Sequence, residues 1–561
     1  MTKRPRWRTP MWLALVTACA MAVAACGGAE DAVTATPAPA GGTAVGGATA
    51  TTGGGVSAIS DKALVVARGM DVNSLDPGRA YCDTCQIYLA AVYQTLIGLD
   101  PFDNQTLLPR VATTWTPNAD FTEWTFTLDA KARFADDSPL TSEDVKWSWE
   151  RLHNLKGNAS FLVDNVQSID APDPATVVVH MAAADSSFPT VTTSTFMGII
   201  NRKLAEENGA VAAEGADQSD QAEQWFLAHS AGGGPYVLAG YQEGAELRLT
   251  RNEHYWGEMP YFKDVIIKDT KEAVAQRQLL ETGEADIAMQ INPDLARDIS
   301  NDDLVIEEVP SFSFVYVYLW PGTPFATEVH LDDVRVRQAF RFAIDYDGML
   351  DVTVGGSGRK QATAIPNGFQ GTENLPLPVE DLEQAKRLLA EAGYPDGFTL
   401  PVYFATLNVY GVDFSTMLQK LQNDLARVNI TLELQPSDPA VLADLRSKGG
   451  YPLSASYFAP DHTDTLNYPK FFGMIPGSFF NNRFKVPVNQ AEADAVDEAL
   501  RTVDEAQRTR LLEQVGLEMI NDSYIFPLVN PDLVLAYRKG IAGMHYSAVS
   551  SLEFARLSES Q

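Results

Sequence analysis

The chain has 561 residues, with 42 lysines and arginines against 73 aspartates and glutamates, and a formal net charge of -31. That balance excludes nucleic acid and anionic lipid heads as partners, because both are held by clustered cations. Hydrophobic residues at 45% allow a substantial core, and the length allows several lobes of about 100 to 200 residues each.

The N-terminus reads as an export signal. Lys3, Arg4, Arg6 and Arg8 precede a mostly apolar run over 11–25 that is too short for a membrane span, which needs roughly 20 apolar residues. The run ends in Val23-Ala24-Ala25-Cys26, which looks like a bacterial lipobox. A diacylated Cys26 would tie the mature chain to a membrane; the plainer alternative is an ordinary signal with a chance cysteine. Residues 27 to about 60 are almost wholly Gly, Ala, Thr, Pro and Val and read as a flexible linker.

The body alternates strands and helices, which predicts packed α/β lobes. Trp124, Phe126 and Leu128 alternate with threonines, as in a half-buried strand. Thr141-Ser142-Glu143-Asp144 is a capping box opening a helix whose apolar face is Val145, Trp149 and Leu152. Val177-Val178-Val179, Val265-Ile266-Ile267 and the apolar stretch 311–321 read as buried strands. Val336, Phe340, Ala343 and Ile344 fall at helical spacing with arginines between them. Asp381 to Ala392 makes another helix, with Glu383 and Arg387 as an i,i+4 pair and Gly393 as its C-cap. A single long amphipathic helix is expected from Ala495 through Met519.

Signatures of chemistry are nearly absent. There is no G-x-S-x-G elbow, H-E-x-x-H, P-loop or calcium-loop spacing, and the seven histidines are scattered. No cofactor and no metal site is expected, and binding is expected rather than catalysis. After Cys19 leaves with the signal and Cys26 anchors, Cys82 and Cys85 remain, in Tyr81-Cys82-Asp83-Thr84-Cys85. A C-x-x-C pair can be a redox dithiol, half a zinc site or a short disulfide. The pair follows the turn signal Asp76-Pro77-Gly78 rather than a strand, and further zinc ligands are not near in sequence, so an oxidising compartment favours the disulfide.

Seven blocks, in order, resemble the family 5 extracellular solute-binding proteins of ABC importers, the oligopeptide, dipeptide and nickel-binding group. They are 73–77 (Asn-Ser-Leu-Asp-Pro), 92–96, 108–115, 121–128 with 134–145, Gly233-Gly234-Pro235-Tyr236 with 251–257, 334–345, and 385–394. The resemblance covers about Leu64 to Gly543. It implies a type II periplasmic-binding-protein fold of the cluster C kind: two lobes that close about a hinge, one with an extra subdomain. The implied division is signal peptide 1–25, lipidated cysteine and linker 26–60, first lobe 61–100, 232–315 and 523–561, subdomain 101–231, and second lobe 316–522.

The resemblance also implies a site. In peptide-binding members an Asp pairs with the ligand's α-ammonium, and the matching stretch here is 457–468. This puts Asp461 on the ammonium, Phe458 at the stacking aromatic with Ala459 beside it, and Asp464 as a second acid. The stretch departs from the family pattern at Phe458 (for Trp), Thr465 (for Pro) and Pro460, which has no N–H to offer a peptide. Tyr81, Cys82 and Asp83 fall on the other cleft-lining segment, so the C-x-x-C loop is expected to shape the ligand wall. The implied partners are a peptide or other small solute and an ABC permease with its ATPase. The implied setting is a monomer, lipid-anchored outside the cytoplasm. An oligosaccharide or metal chelate is the alternative ligand; a secreted hydrolase or signalling receptor is the alternative role.

Overall fold

The computed structural model describes residues 59–324 and 329–560. Cys26 and the signal and linker segments lie outside them.

One twelve-stranded mixed sheet runs through the molecule. Its order is Ile430–Pro436, Phe398–Phe404, Leu453–Phe458, Phe314–Leu319, Ile525–Arg538, Ile287–Ala288, Ala63–Arg68, Asp264–Asp269, Glu246–Arg251 and Tyr236–Gln242. Leu304–Pro310 and Gly358–Arg359 also pair with Ile525–Arg538. That 14-residue strand is shared by both sides of the sheet. Its start pairs with Phe314–Leu319 (Tyr318 opposite Ile525), and its end with Leu304–Pro310 and Ile287–Ala288.

Two hydrophobic cores flank the shared strand. One is built from residues 64 to 287 with 535–557, the other from the 315–529 region; a third buried cluster holds Phe314, Phe458, Phe471 and Phe472. Between them the chain crosses twice, near 310–313 and 529–532. The Asn530 amide bridges the crossings, donating to the carbonyls of Ser311 (3.0 Å) and Ser313 (2.7 Å), while the Ser311 hydroxyl donates to the Pro531 carbonyl (2.7 Å). A separate four-stranded antiparallel sheet has the order Ala112–Pro117, Glu123–Leu128, Thr176–Met181, Val166–Asp173.

The strands expected around Trp124, Val178 and Ile266 are present, and Phe314–Leu319 is buried along its whole length. The Thr141 box forms: the Asp144 carboxylate accepts from the Thr141 backbone N–H (2.9 Å) and hydroxyl (2.7 Å), opening the helix Ser142–Leu155. Two expectations fail. Glu383 pairs with Lys386 (3.4 Å) and Arg387 reaches Glu391 (3.9 Å), so the Glu383–Arg387 pair does not form. Flexible exposed side chains choose among several near-equal partners one turn away. The single helix from Ala495 to Met519 is instead two, Gln490–Ala499 and Glu505–Asp522. The break falls at Thr502-Val503-Asp504, two poor helix formers and a residue whose carboxylate caps the second helix by accepting from the Gln507 N–H (2.8 Å).

Candidate functional site

The site forms where the helix Asp83–Val92, from one core, meets the strand Leu453–Phe458 and its following loop, from the other. Gly232 and Gly234 set the helix's position. A Cβ on Gly232 would stand 2.0 Å from the Val92 carbonyl oxygen, and one on Gly234 would stand 2.5 Å from the Val92 carbonyl carbon. Only glycine lets this loop close on the helix end.

After the turn at Asp76-Pro77-Gly78 the cysteine pair opens a helix: Cys82 is its N-cap, its sulfur accepting from the Cys85 N–H (3.0 Å). Cys82 and Cys85 are bonded to each other. The Asp71 carboxylate also sits over this helix start, accepting from the backbone N–H groups of Asp83 (3.0 Å) and Thr84 (2.8 Å). A carboxylate there satisfies two N–H groups that the helix cannot and meets the positive end of its dipole.

Two residues beside Cys82 make long-range contacts. Asp83 is paired to the buried Arg68 (2.6 Å) and accepts from the Ser551 hydroxyl (3.0 Å). The Tyr81 hydroxyl donates to Asp461 Oδ2 (3.1 Å). Further bridges join the same two sides: Tyr457 hydroxyl to Asp71 Oδ2 (2.6 Å), Gln86 amide to the Pro460 carbonyl (3.1 Å) and Lys470 to Asp185 (3.0 Å).

Asp461 is 2% exposed and forms no ion pair with a described residue. Burial pushes its carboxyl up to about 8, against the lowering effects of the Tyr81 hydroxyl and the Asn467 side chain. Asp71 behaves oppositely. Burial raises it, but Arg68, Thr84 and Tyr457 together hold it below the usual carboxylate range. His462 is buried and pushed down to about 4 by burial and by Lys470. Asp461 is thus the carboxyl here whose charge lacks a partner, whereas Asp71 and Asp83 are satisfied within the protein. The buried hydroxyls of Tyr410 and Tyr468 also lack a hydrogen-bond partner among the described residues. Buried polar groups are rarely left so unless something else meets them.

The other expected residues fall nearby in different roles. Phe458 is buried among Phe472 (ring centroids 4.8 Å apart), Phe471 (4.9 Å), Tyr468 (5.8 Å) and Phe314 (6.0 Å). The ring from this side that meets Tyr81 is Phe471, at 6.2 Å. Ala459 is half-buried beside Pro460. Asp464 forms a two-pronged pair with Arg508 (2.9 and 2.7 Å), so its charge is already met. Arg68, Asp71, Tyr457, Phe471 and Arg508 were not singled out from sequence. A separate surface hollow of about 620 Å³ touches none of these residues, and its cations Arg359 and Lys360 are paired with Asp532 (3.0 Å) and Asp347 (2.8 Å). Among the described residues no group of three or more His, Cys, Asp or Glu could hold a metal ion.

A buried acid with no ion pair to a described residue thus lies where the two sides of the α/β body meet. Residues 106–474 match the model of the bacterial extracellular solute-binding proteins, family 5, and the chain belongs to that family. It is 26% identical over 502 residues to the probable D,D-dipeptide-binding periplasmic protein DdpA of Escherichia coli K12, covering 88% of this chain and 93% of that one. Two solved structures share the fold. The DppA periplasmic binding protein of Helicobacter pylori in complex with the peptide STSA has a TM-score of 0.77 at 19% identity, covering 89% of this chain and 98% of that one. AgaA of A. tumefaciens R10 in complex with agropinic acid has a TM-score of 0.76 at 21% identity, covering 89% and 99%. Family 5 proteins are transport receptors, not enzymes. No helix among the described residues is long and apolar enough to cross a membrane.

Proposed function

We propose that this protein captures short peptides outside the cytoplasm by closing two lobes over them, and passes them to an ABC permease and its ATPase. The observation that carries the reading is Asp461: a buried carboxyl with no cation, facing Tyr81 from the opposite side. An α-ammonium entering there supplies the missing charge, and each desolvated ion then needs the other. The peptide-binding names of its relatives point the same way. Closure is a two-state equilibrium biased by a ligand that touches both sides, with bending at the crossings near 310–313 and 529–532. Tyr81, Cys82 and Asp83 form one wall and 457–464 the other. The protein acts as a monomer held to the membrane by acyl chains on Cys26.

A thermal-shift panel of di- to pentapeptides, neutral sugars and metal chelates tests this, with Asp461→Ala as the control. Peptides are expected to raise the Tm of the wild type and not of the variant, as any ligand specific to the folded state does. A shift with neutral sugars alone removes the peptide assignment.

A further inference from the structure

The Cys82–Cys85 disulfide adds little to the fold. It joins residues only three apart in sequence, and closing so short a loop removes little freedom from the unfolded chain. The helix start that it closes is already held by Asp71, which accepts from the N–H groups of Asp83 and Thr84. The same carboxylate accepts from the Tyr457 hydroxyl of the opposite side (2.6 Å). Cys82, the N-cap, therefore stands at the contact of the two sides, next in the chain to the Tyr81 that reaches Asp461.

The two sulfurs are unequal. Cys82 is partly exposed, whereas Cys85 is fully buried, so an attacking thiolate reaches the bridge from Cys82. Charge favours the same direction, because the Asp71 carboxylate over the helix start opposes a second anion leaving on Cys82. The Cys85 sulfur lies 3.3 Å from Asn73 Oδ1 and 3.4 Å from the Ser74 carbonyl oxygen. A closed disulfide has no hydrogen to give these acceptors, but a Cys85 thiol would donate to them. Asn73 Oδ1 also accepts from the Tyr81 N–H (2.8 Å), which ties the buried sulfur to the residue that meets Asp461.

We infer that this receptor takes peptides bearing a cysteine thiol and holds them covalently, by exchange with the Cys82–Cys85 disulfide; this rests on the ammonium reading of Asp461. The ligand thiolate attacks Cys82 Sγ as the Cys82–Cys85 bond breaks. A disulfide forms between Cys82 and the ligand, and Cys85 leaves with the electron pair and takes up the proton that the ligand thiol gave up. One thiol and one disulfide become one thiol and one disulfide, so no oxidant or reductant is consumed. Attack of Cys85 on Cys82 reverses the step and frees the ligand with its thiol restored. Cys82 and Cys85 are the only cysteines among the described residues, so no other sulfur competes. One tyrosine side chain separates Asp461 from the Tyr81 backbone, a reach that one or two extended residues at ~3.3 Å each match. The reactive cysteine therefore belongs at the second or third position of the peptide.

The test incubates the full-length protein with Cys-Ala-Ala, Ala-Cys-Ala, Ala-Ala-Cys and the isostere Ala-Ser-Ala, each with a free or acetylated N-terminus, followed by acid quenching and intact mass spectrometry. Ala-Cys-Ala and Ala-Ala-Cys are expected to add the mass of one whole peptide, bonded to Cys82, and to leave Cys85 open to alkylation. Acetylation should slow the addition by about 10-fold or more, as the loss of a charge-assisted contact does. Cys85→Ser, its fold checked by circular dichroism, should load Cys82 from the peptide's symmetric disulfide and keep the adduct on dilution, whereas the wild type releases its peptide. No addition from any cysteine peptide, with Ala-Ser-Ala still bound by calorimetry, overturns the exchange and leaves the ammonium reading standing. Addition that acetylation does not slow, or that 2-mercaptoethanol matches, overturns it too, since the bridge is then reachable by any thiol. Fastest addition from Cys-Ala-Ala overturns the placement of the reactive cysteine. An Ala-Ser-Ala that does not bind, or that binds equally well when acetylated, removes the ammonium reading itself.

Discussion

The Tyr81 hydroxyl and the Asp461 carboxylate stand 380 positions apart along the chain and 3.1 Å apart in space. Tyr81 leads into a disulfide-closed helix start on one side of the molecule, and Asp461 follows a strand end on the other. Their bond joins the sides through a group that a ligand ammonium would claim.

Asp461 ties ligand binding to protons. Burial pushes its carboxyl up to about 8, whereas an unfolded chain releases that proton at ~3.9. Between these values the folded state keeps a proton that the unfolded state has lost, so this residue's contribution to stability is full below about pH 4 and declines as the pH rises towards 8. Asp461→Asn should flatten the Tm-against-pH profile over that interval. An ammonium seated on the carboxylate restores its ionisation, so peptide binding at about pH 6.5 should release close to one proton. Calorimetry in two buffers of different ionisation heat measures it, and zero uptake or release contradicts the pairing.

Tyr457→Phe removes the 2.6 Å bond to Asp71 while keeping the ring in the proposed ligand wall. A hydrogen bond to a buried charge contributes ~1.5–3 kcal/mol, so peptide affinity should fall by about 10-fold or more through loss of the closed form. The free protein's secondary structure should be unchanged by circular dichroism.

Cys82→Ser with Cys85→Ser opens a very short loop, for which chain entropy predicts a loss of at most ~2 kcal/mol. Global stability in urea should therefore change modestly. Ligand affinity should fall more, because Tyr81 and Asp83 flank the bridge and reach Asp461 and Arg68. Unchanged affinity would mean that the loop does not shape the ligand wall.

Arg151 is fully buried between Asp76 (2.6 Å to each oxygen) and Asp220 (2.9 Å). Arg151→Leu leaves Asp76 and Asp220 to Arg79 alone (3.4 and 3.0 Å) and should destabilise the protein by ~3 kcal/mol in urea unfolding.

Cys26→Ala should move the protein from the membrane fraction to the soluble one, since a signal alone leaves no anchor. Fractionation with an acyl-chain label decides it.

Much of the body was readable residue by residue. Period-two alternation placed the strand at Trp124, a continuous apolar run placed the one at Val178, and the Thr141 box placed its helix to the residue. Asp461 came from motif resemblance, not from any local signal. The neighbouring Asp71, with Arg68 and Tyr457, carried none either, because one acid among 73 has no mark until the fold brings a tyrosine from 386 positions away. Helix length failed at Val503-Asp504, where an apolar periodicity continued across a capping residue. The exposed Glu383–Arg387 pair failed because surface ion pairs differ by too little energy for spacing to choose among them.

The strand Ile525–Arg538 has a consequence for how the chain comes to be. It lies near the C-terminus, yet Phe314–Leu319, Leu304–Pro310 and Ile287–Ala288 all hydrogen-bond to it. During synthesis, neither side can finish its sheet until residues 525–538 emerge. A truncation before Ile525 should therefore leave two unsealed edges in one molecule, exposed to aggregation and proteolysis. The late place of this one strand in the chain keeps both sides of the sheet open until residues 525–538 have been made.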